Sequence, residues 1–261
     1  MKQTATDTMT TTALTRSFAT ALALCALLLL ITPALAGQRL TVGVECLDYP
    51  PYGSIQNGEY RGYARDLLDA FAIEYGYDLV YDPLPVKRLY QDFLVTRILD
   101  LKFPDSKDWH PGKRKGLAIT YSDPVCEYTD GIHVKPENLG RGVKGIRVLG
   151  IIAGFKPWLL KPIMNPKDLT VSENASISGL LGKALIDRVD AVYANEEAVR
   201  HLLAAMGLKG RLVMDPALPH KTDVYHLSTI NRPEVLREFN EFMKTHRELV
   251  DSIKKKHGLM Q

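Results

Sequence analysis

Strand-like and helix-like segments alternate along most of this chain, a pattern that favours an α/β architecture with largely parallel sheets over an all-helical or all-β one. Residues 40–45 read as a strand, broken by the loop Asp48, Tyr49, Pro50, Pro51, Tyr52. Beyond a turn at Asn57 and Gly58, the segment 63–75 places Tyr63, Leu67, Ala70 and Phe71 on one helical stripe, with Gly76 as its stop. The same reading gives a strand over 78–82, a helix over 87–97, and strands over 99–103, 117–121 and 131–134. After the strand over 99–103 lies an irregular polar stretch with Pro104, Asp105, Trp109, His110, Pro111 and Gly112. Loops that follow strands are where α/β proteins place their ligands.

A second series begins at 148–153, a strand, and continues with a helix over 156–164, a strand over 169–173 and a helix over 176–188. Strands over 190–194 and 212–214 flank a helix over 196–206. Residues 224–229 suit an extended crossing segment. The chain then closes in a long helix with Pro233 in its first turn, where Val235, Phe239, Phe242, His246, Leu249 and Ile253 recur every three or four positions. A stripe this apolar needs a surface to cover, and the first half of the chain is the natural one.

At the N-terminus, Lys2 and Arg16 precede an apolar run from Phe18 to Ile31, followed by Pro33 and the small-x-small triplet Ala34, Leu35, Ala36. This is the pattern of a secretory signal peptide over residues 1–36, too short to span a bilayer. Leu24 before Cys25 does not suit a lipid-attachment signal. Export places the remaining chain in the periplasm. Removal of the leader lowers the net charge from +3 to about +2, which, with Lys and Arg scattered, excludes a nucleic-acid binder. Only Cys46 and Cys126 remain, either as a disulfide or as two small thiols, with no CxxC and no zinc-like spacing. No GxSxG or HExxH occurs. Neither a cofactor nor a metal is expected; His220, Asp223 and His226 lie on an extended segment that spreads the two histidines about 20 Å apart.

Six short motifs in order carry a resemblance: Leu40-Thr41-Val42-Gly43-Val44, Tyr49-Pro50-Pro51-Tyr52, Gly58 with Gly62-Tyr63, Asp66-Leu67, Tyr121-Ser122-Asp123-Pro124, and Val189-Asp190-Ala191-Val192-Tyr193. On these the chain resembles the bacterial extracellular solute-binding proteins of family 3, the amino-acid receptors of ABC importers. The resemblance implies a two-lobed periplasmic-binding-protein fold of type II, each lobe a mostly parallel sheet flanked by helices, joined by two hinge strands near 131–134 and 224–228. Lobe one would comprise 37–134 with 224–261, and lobe two 135–223. It also implies a monomer that binds a small polar solute and passes it to an inner-membrane ABC permease.

The departures from the family bear on the ligand. Such receptors typically hold the ligand carboxylate with an arginine upstream of the aromatic-Ser-x-Pro motif; here the nearest residues are Lys113, Arg114 and Lys115, without the threonine-rich lead-in. The ammonium anchor is typically an acid opening the helix after the Asp-Ala-Val strand, and Asn195 stands there. A zwitterion needs an opposite charge at each end, so a standard α-amino acid is not the expected ligand.

The residues that suit binding are Tyr49 and Tyr52 at the mouth of the cleft and Arg88 at a helix start, where a guanidinium can fork onto an anion. Lys102, Asp105 and Trp109 in the irregular stretch, and Tyr121 in its motif, join them. In the second half Gly154 and Phe155 offer backbone N–H groups between strand and helix, and Tyr193 and Asn195 lie at a strand end. A rigid turn explains Tyr52, a solvated helix start Arg88, and an N-cap Asn195. Two rival readings remain: an exported lyase or dehydratase on the same scaffold, using Glu173, Asp105 or His110 as acid or base, and an accessory module of a membrane sensor.

Overall fold

The computed structural model describes residues 37–156 and 169–260, so the leader over 1–36 and most of the helix expected over 156–164 lie outside the described residues. Strand β1 (Gln38–Glu45) runs parallel to β4 (Tyr77–Leu84), from Gln38 opposite Tyr77 to Glu45 opposite Leu84, and to β5 (Leu101–Asp105). Between β1 and β4 lie a hairpin, β2 (Ser54–Gln56) with β3 (Glu59–Arg61), and helix α1 (Tyr63–Tyr75). The hairpin was expected only as a turn. Helix α2 (Val86–Leu94) follows β4, and the four-residue α3 (Pro111–Arg114) precedes β6 (Thr120–Tyr121).

The long strand β7 (Cys126–Val134) leads to β8 (Val148–Ile152) and β9 (Thr170–Asn174), then α4 (Ile177–Leu185), β10 (Ala191–Asn195), α5 (Glu196–Ala205) and β11 (Val213–Met214). Strand β12 (Lys221–Thr229) returns the chain to α6 (Pro233–Thr245) and α7 (Arg247–Lys256). The strand order is β4-β1-β5-β12-β7-β10-β8-β9. Within it, β8 is parallel to both β9 and β10, whereas β7 and β12 pair antiparallel with each other. The fold is therefore α/β with two mainly parallel half-sheets. β12 belongs to both: Lys221–Tyr225 pair with β7, and His226–Thr229 with β5 and β6.

Burial explains these elements. In β1, Leu40, Val42 and Val44 point into the core, and Gly43 faces Leu89 and Leu99, which leave no room for a side chain. In β10, Val192 joins the main core while Ala191 and Tyr193 join a smaller cluster on the other face, the two-residue period of a strand buried on both sides. Helix α1 buries Tyr63, Leu67 and Phe71, and Phe71 meets Phe239 and Phe242 of α6 edge-on at 5.3 and 5.8 Å.

Three expectations change. The final helix is two helices, because the chain breaks at His246, where Thr245 Oγ1 turns back to donate to the Glu241 carbonyl at 2.8 Å. The break lets α7 lie on α1: Val250 and Ile253 are buried, and Lys256 and His257 each reach Asp66 at 2.7 Å. The strand expected over 117–121 begins only at Thr120, where it gains β12 as a partner. The crossing strands start earlier than read, at Cys126 and Lys221, since each carries a ladder to its neighbour through polar residues that pattern alone assigns to loops.

Candidate functional site

Among the described residues, one small cavity of about 50 Å³ opens between the two half-sheets. Glu45 contributes from the carboxyl end of β1, Val86 and Tyr90 from α2, and Trp109 and His110 from the loop after β5. Gly154, Phe155 and Lys156 follow β8, Tyr193 comes from β10, and Asp130 from the crossing strand β7. Of the parallel strands, β1, β4, β5, β8 and β10 thus deliver their carboxyl ends or the segments just after them to the cavity, the place where open α/β sheets hold ligands.

The aromatic lining is held by its own packing. Trp109 meets Tyr128 and Tyr225 edge-on, both at 5.8 Å, and Tyr90 packs on the His110 ring at 4.1 Å. His110 adopts a left-handed backbone (φ 52) although it is not glycine, a strained conformation that turns its ring to the cavity wall. Burial, with Lys113, Lys156, Arg114 and Lys102 around it, lowers the His110 pKa to about 4, so the imidazole is neutral near pH 7.

Two acids face the cavity with little water around them: Glu45 is 6 % exposed and Asp130 8 %. Burial raises Glu45 to about 7, Lys102 opposing and Asp105 reinforcing the effect. Asp130 is likewise raised to about 7 by burial and by the Glu45 charge. Its Oδ1 closes no hydrogen bond of normal geometry, although the Asn195 amide lies near enough to favour the ionised form.

Behind the cavity lies a buried ion cluster centred on Asp105. Arg114 Nη2 donates to Asp105 Oδ1 at 2.6 Å and Nη1 to Oδ2 at 3.0 Å, Ser228 Oγ donates at 2.6 Å, and Lys102 Nζ at 3.1 Å. Lys102 Nζ also donates to the Pro104 carbonyl at 2.6 Å, and Arg114 Nη1 to the Tyr121 hydroxyl at 2.6 Å. Burial alone would raise the Asp105 pKa; Lys102 and Arg114 outweigh it and hold the carboxyl below its ordinary value. Burial lowers the Lys102 ammonium in turn, against the pull of Asp105.

Of the residues expected to bind, the structure brings Trp109, Gly154, Phe155 and Tyr193 to the cavity. It does not bring the rest there. Tyr49 and Tyr52 are buried in an aromatic cluster, Tyr49 bonded to the Tyr225 hydroxyl at 3.0 Å and Tyr52 edge-on to Tyr225 at 5.1 Å, because the proline loop folds inward rather than out to a mouth. Arg88 is exposed and turned along its own helix to Asp92 at 2.5 Å. Lys102, Asp105 and Tyr121 belong to the ion cluster. Asn195 Oδ1 accepts from Ala198 N at 3.0 Å, the N-cap of α5, while its amide faces Asp130. Of the candidate acids and bases, Glu173 pairs with Lys87 on the surface, and His110 alone lines the cavity.

Glu45, Asp130 and Tyr90 were not singled out from the sequence. Glu45 carried a usable signal: a carboxylate ending an otherwise apolar strand, Leu40 to Val44. Asp130 carried none, since Tyr-Thr-Asp-Gly reads as a turn. Cys46 and Cys126 are not bonded to each other; Cys46 is exposed and Cys126 buried, its thiol pushed up to about 12 by burial.

The chain matches no protein-family model and no curated protein sequence. Its backbone does match solved structures. An ancestral arginine-binding protein bound to arginine superimposes with a TM-score of 0.69 at 20 % identity, over 85 % of this chain and 99 % of that one. The fold is that of the two-lobed periplasmic binding proteins. A mutant of the arginine-binding protein of T. maritima aligns at TM-score 0.66 and 18 % identity, over 84 % and 94 % of the two chains. The substrate-binding protein of an ABC uptake transporter from Streptococcus pneumoniae, with bound histidine, aligns at 0.69 and 18 %, over 84 % and 92 %. β12 pairs with β5 on one side and β7 on the other, β7 pairs in turn with β10, and no helix among the described residues is long and apolar enough to cross a membrane.

Proposed function

We propose that this protein is a periplasmic solute-binding protein that captures a small polar solute in the cavity between its half-sheets and presents it to an inner-membrane ABC permease, without turning it over. The observation that carries this reading is that the cavity has walls from both halves: Glu45, Tyr90 and Trp109 on one side, Phe155 and Tyr193 on the other, with Asp130 on the strand between. A site built in this way is complete only when the halves meet, so a ligand holds them together and an empty protein opens. Lobe one is taken as 37–134 with 224–261 and lobe two as 135–223, with bending in β7 and β12. Solved proteins of the same fold, those bound to arginine and to histidine among them, support a capture role.

Native mass spectrometry of protein purified without dialysis, followed by small-angle scattering with and without the recovered compound, tests the proposal. The expected result is one bound solute, released chemically unchanged, whose return shrinks the radius of gyration. Release of an altered compound would point instead to the exported-enzyme reading, and scattering that does not respond to the solute would remove the hinge.

A further inference from the structure

The cavity's charge and surface together narrow the chemistry of its ligand. Two carboxyls, Glu45 and Asp130, line it, both more than nine-tenths buried, and Asp130 Oδ1 has an unfilled acceptor position. Much of the remaining wall is aromatic: Tyr90, Trp109, Phe155 and Tyr193. Carboxylates beside aromatic rings favour a cation, which answers the buried charge and is attracted to the rings. The cations that might have received an anionic group are spent within the protein. Arg114 places Nη1 and Nη2 on Asp105, with Nε on the Trp109 carbonyl, and Lys102 Nζ is held by Pro104 and Asp105. Neither lines the cavity. Lys156 does, but it is exposed, and a hydrated ammonium is a weak counter-charge. Asp130 stands opposite Asn195 in the ladder between the crossing strand and β10, which places its carboxylate beside the Asn195 amide. The enclosed part of the cavity, about 50 Å³, has room for a few waters or a handful of heavy atoms.

We infer that the ligand is a compact protonated amine without a carboxylate, its N–H donors on Glu45 and Asp130 and its alkyl body against the aromatic walls. This inference rests on the solute-binding reading above.

The test uses the purified full chain in amine-free phosphate buffer at pH 8, titrated by calorimetry and followed by thermal melting. The probes are 1-aminobutane and 1,4-diaminobutane, against 1-butanol, butyrate, glycine, arginine and potassium chloride. The amines are expected to bind at least tenfold more tightly than 1-butanol and to raise the melting temperature. Asp130→Asn and Glu45→Gln, which keep size and shape, are each expected to weaken amine binding at least tenfold while the unliganded variants melt no lower than the parent. Equal or tighter binding of butyrate, glycine, arginine or potassium overturns the amine assignment but leaves solute capture standing, as does amine affinity unchanged in both variants. Failure of every probe and of the natively recovered compound to bind overturns both.

Discussion

Both terminal nitrogens of Arg114 donate to the two oxygens of Asp105, at 2.6 and 3.0 Å, in a cluster from which water is excluded. Arg114 is thereby an internal structural element, and the cavity beside it has Glu45 and Asp130 as its buried charged walls, with the exposed Lys156 at its edge.

Removing one partner of this cluster costs more than the cluster itself contributes. Asp105→Asn leaves Lys102 and Arg114 buried with no full counter-charge nearby but Glu45, and is expected to lower the unfolding free energy by about 3–5 kcal/mol. Urea titration of the variant checks this.

The two cavity acids are expected to withdraw stability from the unliganded protein as pH rises from the acid range to about 7. Glu45 and Asp130 ionise at about 7 in the fold, against ordinary values of 4.5 and 3.8, so the folded state holds more protons across that interval. Stability falls as pH rises from about 4 to about 7, and the penalty is complete above it, on the order of 2 kcal/mol per carboxyl between pH 5.5 and 8. Lys102 and Asp105 face Glu45, and Asn195, Asp223 and Lys221 face Asp130, and they temper this without reversing it. His133 and His110, both held down to about 4 by burial, act in the opposite sense and cost stability as pH falls below their ordinary range. Urea midpoints between pH 5.5 and 8, compared with those of the Glu45→Gln, Asp130→Asn double variant, isolate the two acids; the advantage of the double variant over the parent is expected to grow with pH and to level off above about 7.

Gly154 has φ 99, and a Cβ there would lie 3.0 Å from Val86 Cβ on the opposite wall. Gly154→Ala is expected to cost about 1 kcal/mol or more and to weaken solute binding at least threefold, because it strains the backbone and wedges the cavity open. Gly182→Ala, in helix α4 with open space around it, is the control and is expected to be neutral or stabilising. Melting temperatures and binding isotherms of the two variants decide it.

Lys87 on α2 and Glu173 on β9 form an exposed ion pair at 3.2 Å that joins the half-sheets next to Val86. Lys87→Ala is expected to change stability by less than about 0.5 kcal/mol yet to speed solute release two- to threefold at low salt, since the pair exists only while the halves meet. In 1 M salt, stopped-flow release rates of parent and variant should converge.

Period and punctuation are enough to recognise the alternating α/β order, the Gly76 stop after α1 and the strand that carries Tyr193, because each depends on residues within one or two turns of each other. Trp109, Gly154 and Phe155 were also within reach, since a bulky ring or a glycine between a strand and its successor marks a ligand-side loop. What the chain order cannot express is which charge meets which. Lys102 and Asp105 look like binding groups in a polar stretch, and only the folding of β5 against β12 and α3 turns them, with Arg114, into one self-satisfied cluster that includes Ser228, more than a hundred residues further along. The same folding brings Glu45 and Asp130 to one cavity from strands eighty-odd residues apart in the chain, leaving both desolvated. Local pattern decides elements because their hydrogen bonds and apolar stripes are local; the tertiary structure decides the site because the cost of burying a charge depends on what arrives beside it.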